Sequence, residues 1–215
     1  MPTPSTAFDL AAYASLLEAA RAGGYRPTTF DREPEDGAIF VRHDVDLSLE
    51  AAVTMAEVEA DLGVRATYFL MTESVFYNLA SPVGVRALAR LRELGHAVGL
   101  HAVHPRAVLD EHFDPVVAWH NPDPAYMREP VPGAVNVMAR HFDPATYRSD
   151  SNQHWRSGPP DDDLRAGRFA WLQLLTHPEI WVFPGASMRE TMLAMLDADR
   201  ASRLRHLADD RIDLT

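Results

Sequence analysis

Cysteine is absent from this 215-residue chain. Its absence excludes disulfides, thiolate nucleophiles and cysteine-ligated zinc, and leaves His, Asp and Glu as the possible metal ligands. Lysine and arginine form no run and the formal net charge is −11, so the basic footprint of a nucleic-acid-binding protein is missing. No apolar run approaches the ~18 residues of a membrane span, and the first residues lack the features of a secretory signal. We therefore expect a soluble cytoplasmic protein with no membrane span and no nucleic-acid partner.

Hydrophobic residues make up 47% of the chain, enough at this length for one substantial core. We predict a single domain over residues 1–215. Apolar strand patterns alternate with helical patterns, a rhythm typical of right-handed βαβ units in a parallel sheet or barrel. Helices are predicted over 9–22, 48–62, 82–94 and 188–207, and strands over 38–43, 66–71, 97–101, 116–119, 146–148 and 170–175. In the last helix we expect four side chains in the core, namely Met192, Leu193, Leu196 and Leu204.

Two acidic residues follow the apolar run Ala38–Val41. Side chains two apart in a strand point the same way, so Asp44 and Asp46 enter one small volume. Like charges this close repel, and one of the two pKa values is expected to rise. A divalent cation, or a reaction that needs a general base, would explain the arrangement. The alternative is that Asp46 or Ser48 simply caps the next helix.

Histidines follow the apolar run 97–100, at the kind of strand end where α/β sheets and barrels place their sites. Asp46, His101 and His104 would provide a carboxylate and two imidazoles, a set that leaves a catalytic zinc an open position. Zinc is the first choice of metal, with cobalt or another transition metal as the alternative. Such an ion would acidify a water molecule and polarise a carbonyl. For His104, ordinary solvent exposure before Pro105 is the alternative.

Acid–base groups would complete a hydrolytic site. Asp44, beside the metal but not bound to it, could take a proton from water as a general base. His177 ends the strand predicted at 170–175 and could protonate a leaving group, which an amide nitrogen requires. The alternative is a histidine packed at a strand end before Pro178. The remaining histidines are assigned no site role, apart from His120, which is considered below.

Six motifs occur in a fixed order between about residues 38 and 181. They are Phe40–Asp46, Ala66–Leu70, Leu94–His101, Trp119–Pro122, Tyr147–Ser151 with Trp155, and Gln173–Glu179. In this order they resemble the polysaccharide deacetylase family (NodB homology, carbohydrate esterase 4-like). The later motifs are similar to those of an uncharacterised bacterial branch of that family.

The resemblance implies a distorted (β/α) barrel of NodB type, with seven or fewer strands. It implies a metal-dependent deacetylase that cleaves linear amide bonds, removing an N-acetyl or N-acyl group from an amino-sugar substrate, small or lipid-linked, such as a glycan precursor. It also implies Asp44 as base, Asp46 and His101 as metal ligands, His177 as general acid and Asp150 as the residue that orients the catalytic groups. The alternatives are an inactive carbohydrate-binding protein of the same shape and a hydrolase of the same mechanism acting on a non-sugar amide.

The chain departs from the family pattern at three places. The family spaces the histidines of its second motif as H-x-x-x-H, whereas His101 and His104 are one residue closer, so His104, His120 or water could complete the metal shell. The family's Arg-x-Pro motif is His120-Asn121-Pro122 here, which removes a cation that would anchor the base. Residues 102–115 are barely long enough for a parallel crossover, so a helix usual in the family is expected to be missing. The sugar, the acyl group and the oligomeric state are left open.

Overall fold

Helices and parallel strands make up the fold, in a computed structural model that describes residues 8–105 and 109–212. The helices are α1 (Leu10–Ala22), α2 (Leu49–Asp61), α3 (Pro82–Glu93), α4 (Val137–Arg140), α5 (Asp161–Arg165), α6 (Pro178–Val182) and α7 (Met188–Asp209). The strands are β1 (Arg26–Thr28), β2 (Ala38–Val45), β3 (Thr67–Leu70), β4 (Ala97–Ala102), β5 (Val116–Trp119), β6 (Val135–Asn136), β7 (Tyr147–Ser149) and β8 (Leu172–Thr176). The predicted α/β class is confirmed.

The strands form one sheet with the order β6-β5-β4-β3-β2-β8-β7, and all of its ladders are parallel. The short strand β1 pairs with the first half of β2, and β3 pairs with its second half. In the described ranges no ladder joins β6 to β7, so the sheet is an open half-barrel, consistent with a distorted barrel. Seven strands follow one another along the main path, and β1 is an additional strand that the sequence did not reveal.

Polar caps set the starts of the helices α1, α2 and α3. The side chain of Asp9 accepts a hydrogen bond from the backbone N–H of Ala12 at 2.7 Å and begins α1. Ser48 and Ser81 cap α2 and α3 in the same way, each at 3.1 Å from a backbone nitrogen in the first turn. Such caps satisfy backbone N–H groups that have no partner within the helix. The predicted boundaries of these helices are therefore confirmed to within a residue or two.

The core is built around the central strands. All eight residues of β2 and all six of β4 are buried, as expected for parallel strands covered on both faces. Gly99 of β4 lies against the ring of Phe69 in β3, where a Cβ atom would come within 2.5 Å of the ring. Glycine is thus required for Phe69 to occupy the space between the two strands.

The last helix departs from the sequence-based expectation. Leu193, Leu196 and Leu204 are 48%, 46% and 42% exposed, whereas Thr191 and Met195 are buried. The prediction that this leucine set lies in the core was therefore wrong. Only one side of α7 packs against the rest of the protein. A helical spacing of apolar residues predicts that they share one face, but it does not show whether another element covers that face. Although α7 has 22 residues, no helix in the described ranges is long and apolar enough to cross a membrane.

The connection from β4 to β5 contains no helix among its described residues, 103–105 and 109–115. Instead, Asp114 closes the connection onto β4: its carboxylate accepts a hydrogen bond from the backbone N–H of Val98 at 2.8 Å, and its own N–H donates to the carbonyl of Val98 at 2.7 Å. This agrees with the expectation that a crossover helix is missing. It also places the end of β5 directly beside the end of β4.

Candidate metal centre

The carboxyl ends of the strands meet at one edge of the half-barrel and surround a cavity of about 340 Å³. Parallel strands end at the same edge, so side chains from distant parts of the sequence converge there. A cavity of this size accommodates a small-molecule ligand. The residues that line it include Asp44 from β2, Asp46 just after β2, His101 from β4, His120 after β5, and His177 after β8.

Three donor atoms form a nearly equilateral triangle in this cavity. Oδ1 of Asp46 lies 3.1 Å from Nε2 of His101 and 3.2 Å from Nδ1 of His120, and the two nitrogens are 3.2 Å apart. Two ligands bound to tetrahedral zinc at about 2.0–2.1 Å are themselves about 3.3–3.4 Å apart. In the described ranges no hydrogen bond of acceptable geometry reaches the buried Oδ1 of Asp46, despite the close nitrogens. The three residues can therefore hold a divalent metal ion, whose identity the geometry leaves open.

The two imidazoles are oriented by neighbouring groups. Nδ1 of His101 lies 3.2 Å from the carbonyl oxygen of Ala118, its partner across the β4–β5 ladder. When Nδ1 carries the proton and donates it to this carbonyl, Nε2 keeps its lone pair, which is directed at the triangle. This arrangement is common for histidines that bind metals. On the other ring, Nε2 of His120 is 3.1 Å from the side-chain amide of Asn121.

The charges of the cluster favour an ionised carboxylate. Burial acts to raise the pKa of Asp46, but the close imidazoles of His101 and His120 outweigh it, and the pKa is lowered. The nearby carboxylate of Asp46 in turn raises the pKa of His120. A carboxylate that stays ionised in a buried position is a suitable ligand for a cation.

Asp44 is held by an arginine from its own strand. Nε and an Nη of Arg42 donate to the two carboxylate oxygens of Asp44, both at 2.7 Å, and both residues are buried. Arg42 also donates to the side-chain oxygen of Gln173 at 3.1 Å. Burial acts to raise the pKa of Asp44, but the charge of Arg42 outweighs it, so the pKa is lowered. The expectation that mutual repulsion raises one of the two aspartate pKa values was therefore wrong, because Arg42 and the imidazoles outweigh it.

His177 is paired with Asp150 on the far side of the cavity. Oδ1 of Asp150 accepts from Nδ1 of His177 at 2.6 Å, while Oδ2 accepts from the backbone N–H of His177 at 3.0 Å and from Nε1 of Trp181 at 2.7 Å. Burial acts to lower the pKa of His177, but the charge of Asp150 outweighs it and raises the pKa to about 10. At neutral pH the ring is therefore a cation that can donate a proton. Asp150 and His177 lie together as the resemblance implies, although their catalytic roles stay predictions.

His104 lies outside the triangle. Its Nε2 is 3.3 Å from a carboxylate oxygen of Glu73, and both side chains are about half exposed. His104 follows the end of β4, beyond the edge where the strands converge, whereas His120 stands at the end of the adjacent strand β5. Of the two histidines considered for the third ligand position, the structure brings His120 and not His104 to Asp46 and His101.

Glu179 is a site residue that sequence reasoning missed. It is 1% exposed and contributes to the wall of the cavity, and its Oε2 has no hydrogen-bond partner among the described residues. Burial raises its pKa to about 7. Glu179 ends the motif Gln173–Glu179, but no role was assigned to it, because a glutamate in a short helix is usually exposed.

Comparisons with protein-family models, with curated proteins and with solved structures found no match. The resemblance to polysaccharide deacetylases therefore stays a prediction from the motifs. Any assignment of function depends on the side chains that surround the cavity.

Proposed function

We propose that this protein is a metal-dependent hydrolase that removes an N-acyl group from an amino-sugar substrate, such as a glycan precursor. The observation that supports it most is the shared cavity. Three potential metal ligands lie in it beside an ionised carboxylate, Asp44, and a cationic imidazole, His177. Hydrolysis of an amide needs these functions together: a Lewis acid, a base for water and an acid for the nitrogen.

Each side chain has a defined task in this proposal. Asp46, His101 and His120 would hold a divalent ion, which would supply Lewis-acid chemistry for the amide carbonyl and would lower the pKa of water. Asp44, fixed by Arg42, accepts one proton from the attacking water, whose oxygen forms a bond to the carbonyl carbon. The C–N bond then breaks as His177 donates one proton from Nε2 to the leaving nitrogen. The products are a carboxylic acid and a free amine, with Asp44 one proton richer and His177 one proton poorer.

The alternative of an inactive carbohydrate-binding protein was motivated by the histidine spacing and by the missing arginine of the Arg-x-Pro motif. For each of these two departures, another residue of this chain supplies the kind of group that is missing. His120 stands where a third ligand is needed, and Arg42 contacts the carboxylate of Asp44. These contacts favour an active enzyme.

Release of amine from candidate substrates tests the proposal. The zinc- or cobalt-loaded protein is incubated with N-acetylglucosamine, with its oligomers and with non-sugar N-acyl amides, and free amine is measured with fluorescamine. All 20 Lys+Arg residues are arginine, so the protein contributes little background. We expect turnover of a sugar amide, a loss of about 10²–10⁴-fold in Asp44→Asn and His177→Gln, and no loss in the matched surface variant His112→Gln. Tight sugar binding without turnover would support the inactive carbohydrate-binding protein. Turnover of non-sugar amides alone would support a hydrolase of the same mechanism that acts on non-sugar amides.

A further inference from the structure

A second and larger cleft, of about 610 Å³, adjoins the catalytic cavity. It lies between α7, the start of α2 and the segment 74–83 that follows β3. Much of its lining is apolar, and it includes Leu47, Val75, Phe76, Phe183, Met195 and Leu196. Val75 is 90% exposed and Phe76 is 41% exposed, although both are large apolar side chains. Exposed apolar surface concentrated in one groove is typical of a binding site.

The cleft begins at the metal end of the cavity. Leu47 directly follows the candidate ligand Asp46, and its side chain lines both spaces. The adjoining wall is held by Tyr77, whose hydroxyl donates to the carbonyl oxygen of Val45 at 2.6 Å and accepts from the backbone N–H of Met71 at 2.8 Å. These bonds connect the segment after β3 to the end of β2. The boundary between the two spaces is therefore a fixed part of the fold.

The sheet order indicates which part of a substrate would reach the cleft. β3 and β8 pair with opposite edges of β2, so the segment after β3 and His177 after β8 lie on opposite sides of the end of β2. The leaving nitrogen must face His177, which places the sugar on the β8 side. The other substituent of the carbonyl carbon, the acyl chain, leaves in a different direction. The cleft contacts the segment after β3 and shares Leu47 with the catalytic cavity, so it is the adjoining space to which we assign the acyl chain.

One pair of opposite charges at the cleft is joined within α7. Nε of Arg203 donates to a carboxylate oxygen of Asp199 at 2.7 Å, within α7. An uncharged alkyl chain can therefore occupy the apolar part of the cleft without separating a charge from its partner.

We propose that this cleft binds the alkyl chain of a long N-acyl group, so that the preferred substrates are amino sugars with acyl chains longer than acetyl. This inference rests on the proposed hydrolase function. Each added methylene would be transferred from water into the cleft, a gain of about 0.8 kcal/mol, which corresponds to about fourfold in kcat/KM.

A chain-length series measures this preference. N-acetyl, N-butyryl, N-hexanoyl and N-octanoyl glucosamine are compared on the zinc-loaded protein by release of amine. We expect kcat/KM to rise by about fourfold per methylene in the wild-type protein. The rise should become shallower in Phe76→Ser and Leu196→Ser, and should persist in Val85→Ser, a matched variant of a 55% exposed valine on α3 outside the cleft. Equal kcat/KM for acetyl and octanoyl substrates would overturn the inference.

A binding experiment separates this inference from the proposed function. The fluorescent fatty acid 11-(dansylamino)undecanoic acid is titrated into metal-free wild-type protein and the same three variants. We expect saturable binding that weakens about tenfold in Phe76→Ser and in Leu196→Ser and is unchanged in Val85→Ser. Binding of this pattern without any amine release would contradict the hydrolase and support the cleft as an alkyl-chain site. No binding to the wild-type protein, or equal binding to all variants, would overturn the cleft inference whatever the activity.

Discussion

The pair formed by Asp150 and His177 gives a prediction whose size follows from the structure. Asp150→Asn keeps the shape of the side chain and an acceptor for Trp181 but removes the negative charge from His177. The pKa of His177 lies at about 10 instead of the ordinary 6.5, a difference that corresponds to about 5 kcal/mol between its two protonation states. Because burial lowers this pKa and only the weaker effects of Asp44 and Glu179 remain to raise it, we expect the variant to titrate well below 10.

Histidine ring NMR of the metal-free, ¹⁵N-labelled protein measures this pKa, with His177→Gln to assign the signal. Asp162→Asn, which changes an exposed aspartate, is the matched control and should leave the titration of His177 near 10. A ring in Asp150→Asn that still titrates near 10 would refute the assignment of the proton donor to this pair.

The same pair makes stability depend on pH with a defined sign. The pKa of His177 is about 10 in the folded chain and close to 6.5 when unfolded, so the folded state binds the extra proton between these values. The stabilisation from the charged pair is complete below pH 6.5 and is lost as the pH rises through 10. In urea unfolding, the stability difference between wild type and Asp150→Asn should therefore be largest near pH 6 and should narrow towards pH 10. A difference that grows with pH would contradict this linkage.

Three further substitutions have definite expected outcomes. Arg42→Met leaves the carboxylate of Asp44 buried without its cation and should lower the free energy of unfolding in urea by about 3–5 kcal/mol. Adding Asp44→Leu to this variant should restore much of that loss. If the effects of the two substitutions are additive, the two residues do not interact. Gly99→Ala should cost about 1–3 kcal/mol, since its Cβ would lie 2.5 Å from the ring of Phe69, and an unchanged midpoint would contradict that packing. Glu179→Met removes a buried carboxyl group whose pKa is raised to about 7, so we expect the variant to unfold at a higher urea concentration than the wild type. The increase should be larger at pH 8 than at pH 5, because at pH 8 the wild-type carboxyl group must ionise in a buried position. A lower midpoint would show that Glu179 has a structural partner.

Some of the site could be predicted from the sequence because single strands determine it. The apolar runs that end at Asp44 and His101 mark strand ends, and the two-residue spacing puts Asp44 and Asp46 on one face. The same spacing relates Arg42 to Asp44, so the cation that holds Asp44 was visible in the sequence although it was not recognised. It is supplied by β2 itself and not by the later motif.

The third ligand could not be assigned because it depends on which strands are neighbours. His104 is close to His101 in sequence, whereas His120 is close to it in space, since β5 pairs with β4 and sets His101 opposite Ala118. Such long-range pairing is decided by packing of the whole sheet and not by local pattern. The exposed leucines of α7 illustrate the same limit, because periodicity cannot report which face a neighbour covers.

Zinc binding by the purified protein tests the central claim most directly. Isothermal titration with Zn²⁺ is carried out on the metal-free wild type, on His120→Gln and on His104→Gln. We expect one site in the wild type, a loss of at least about 10–100-fold in affinity in His120→Gln, and unchanged affinity in His104→Gln. A wild-type protein that binds no zinc, or one that loses its zinc through His104→Gln and keeps it in His120→Gln, would contradict the metal centre of Asp46, His101 and His120.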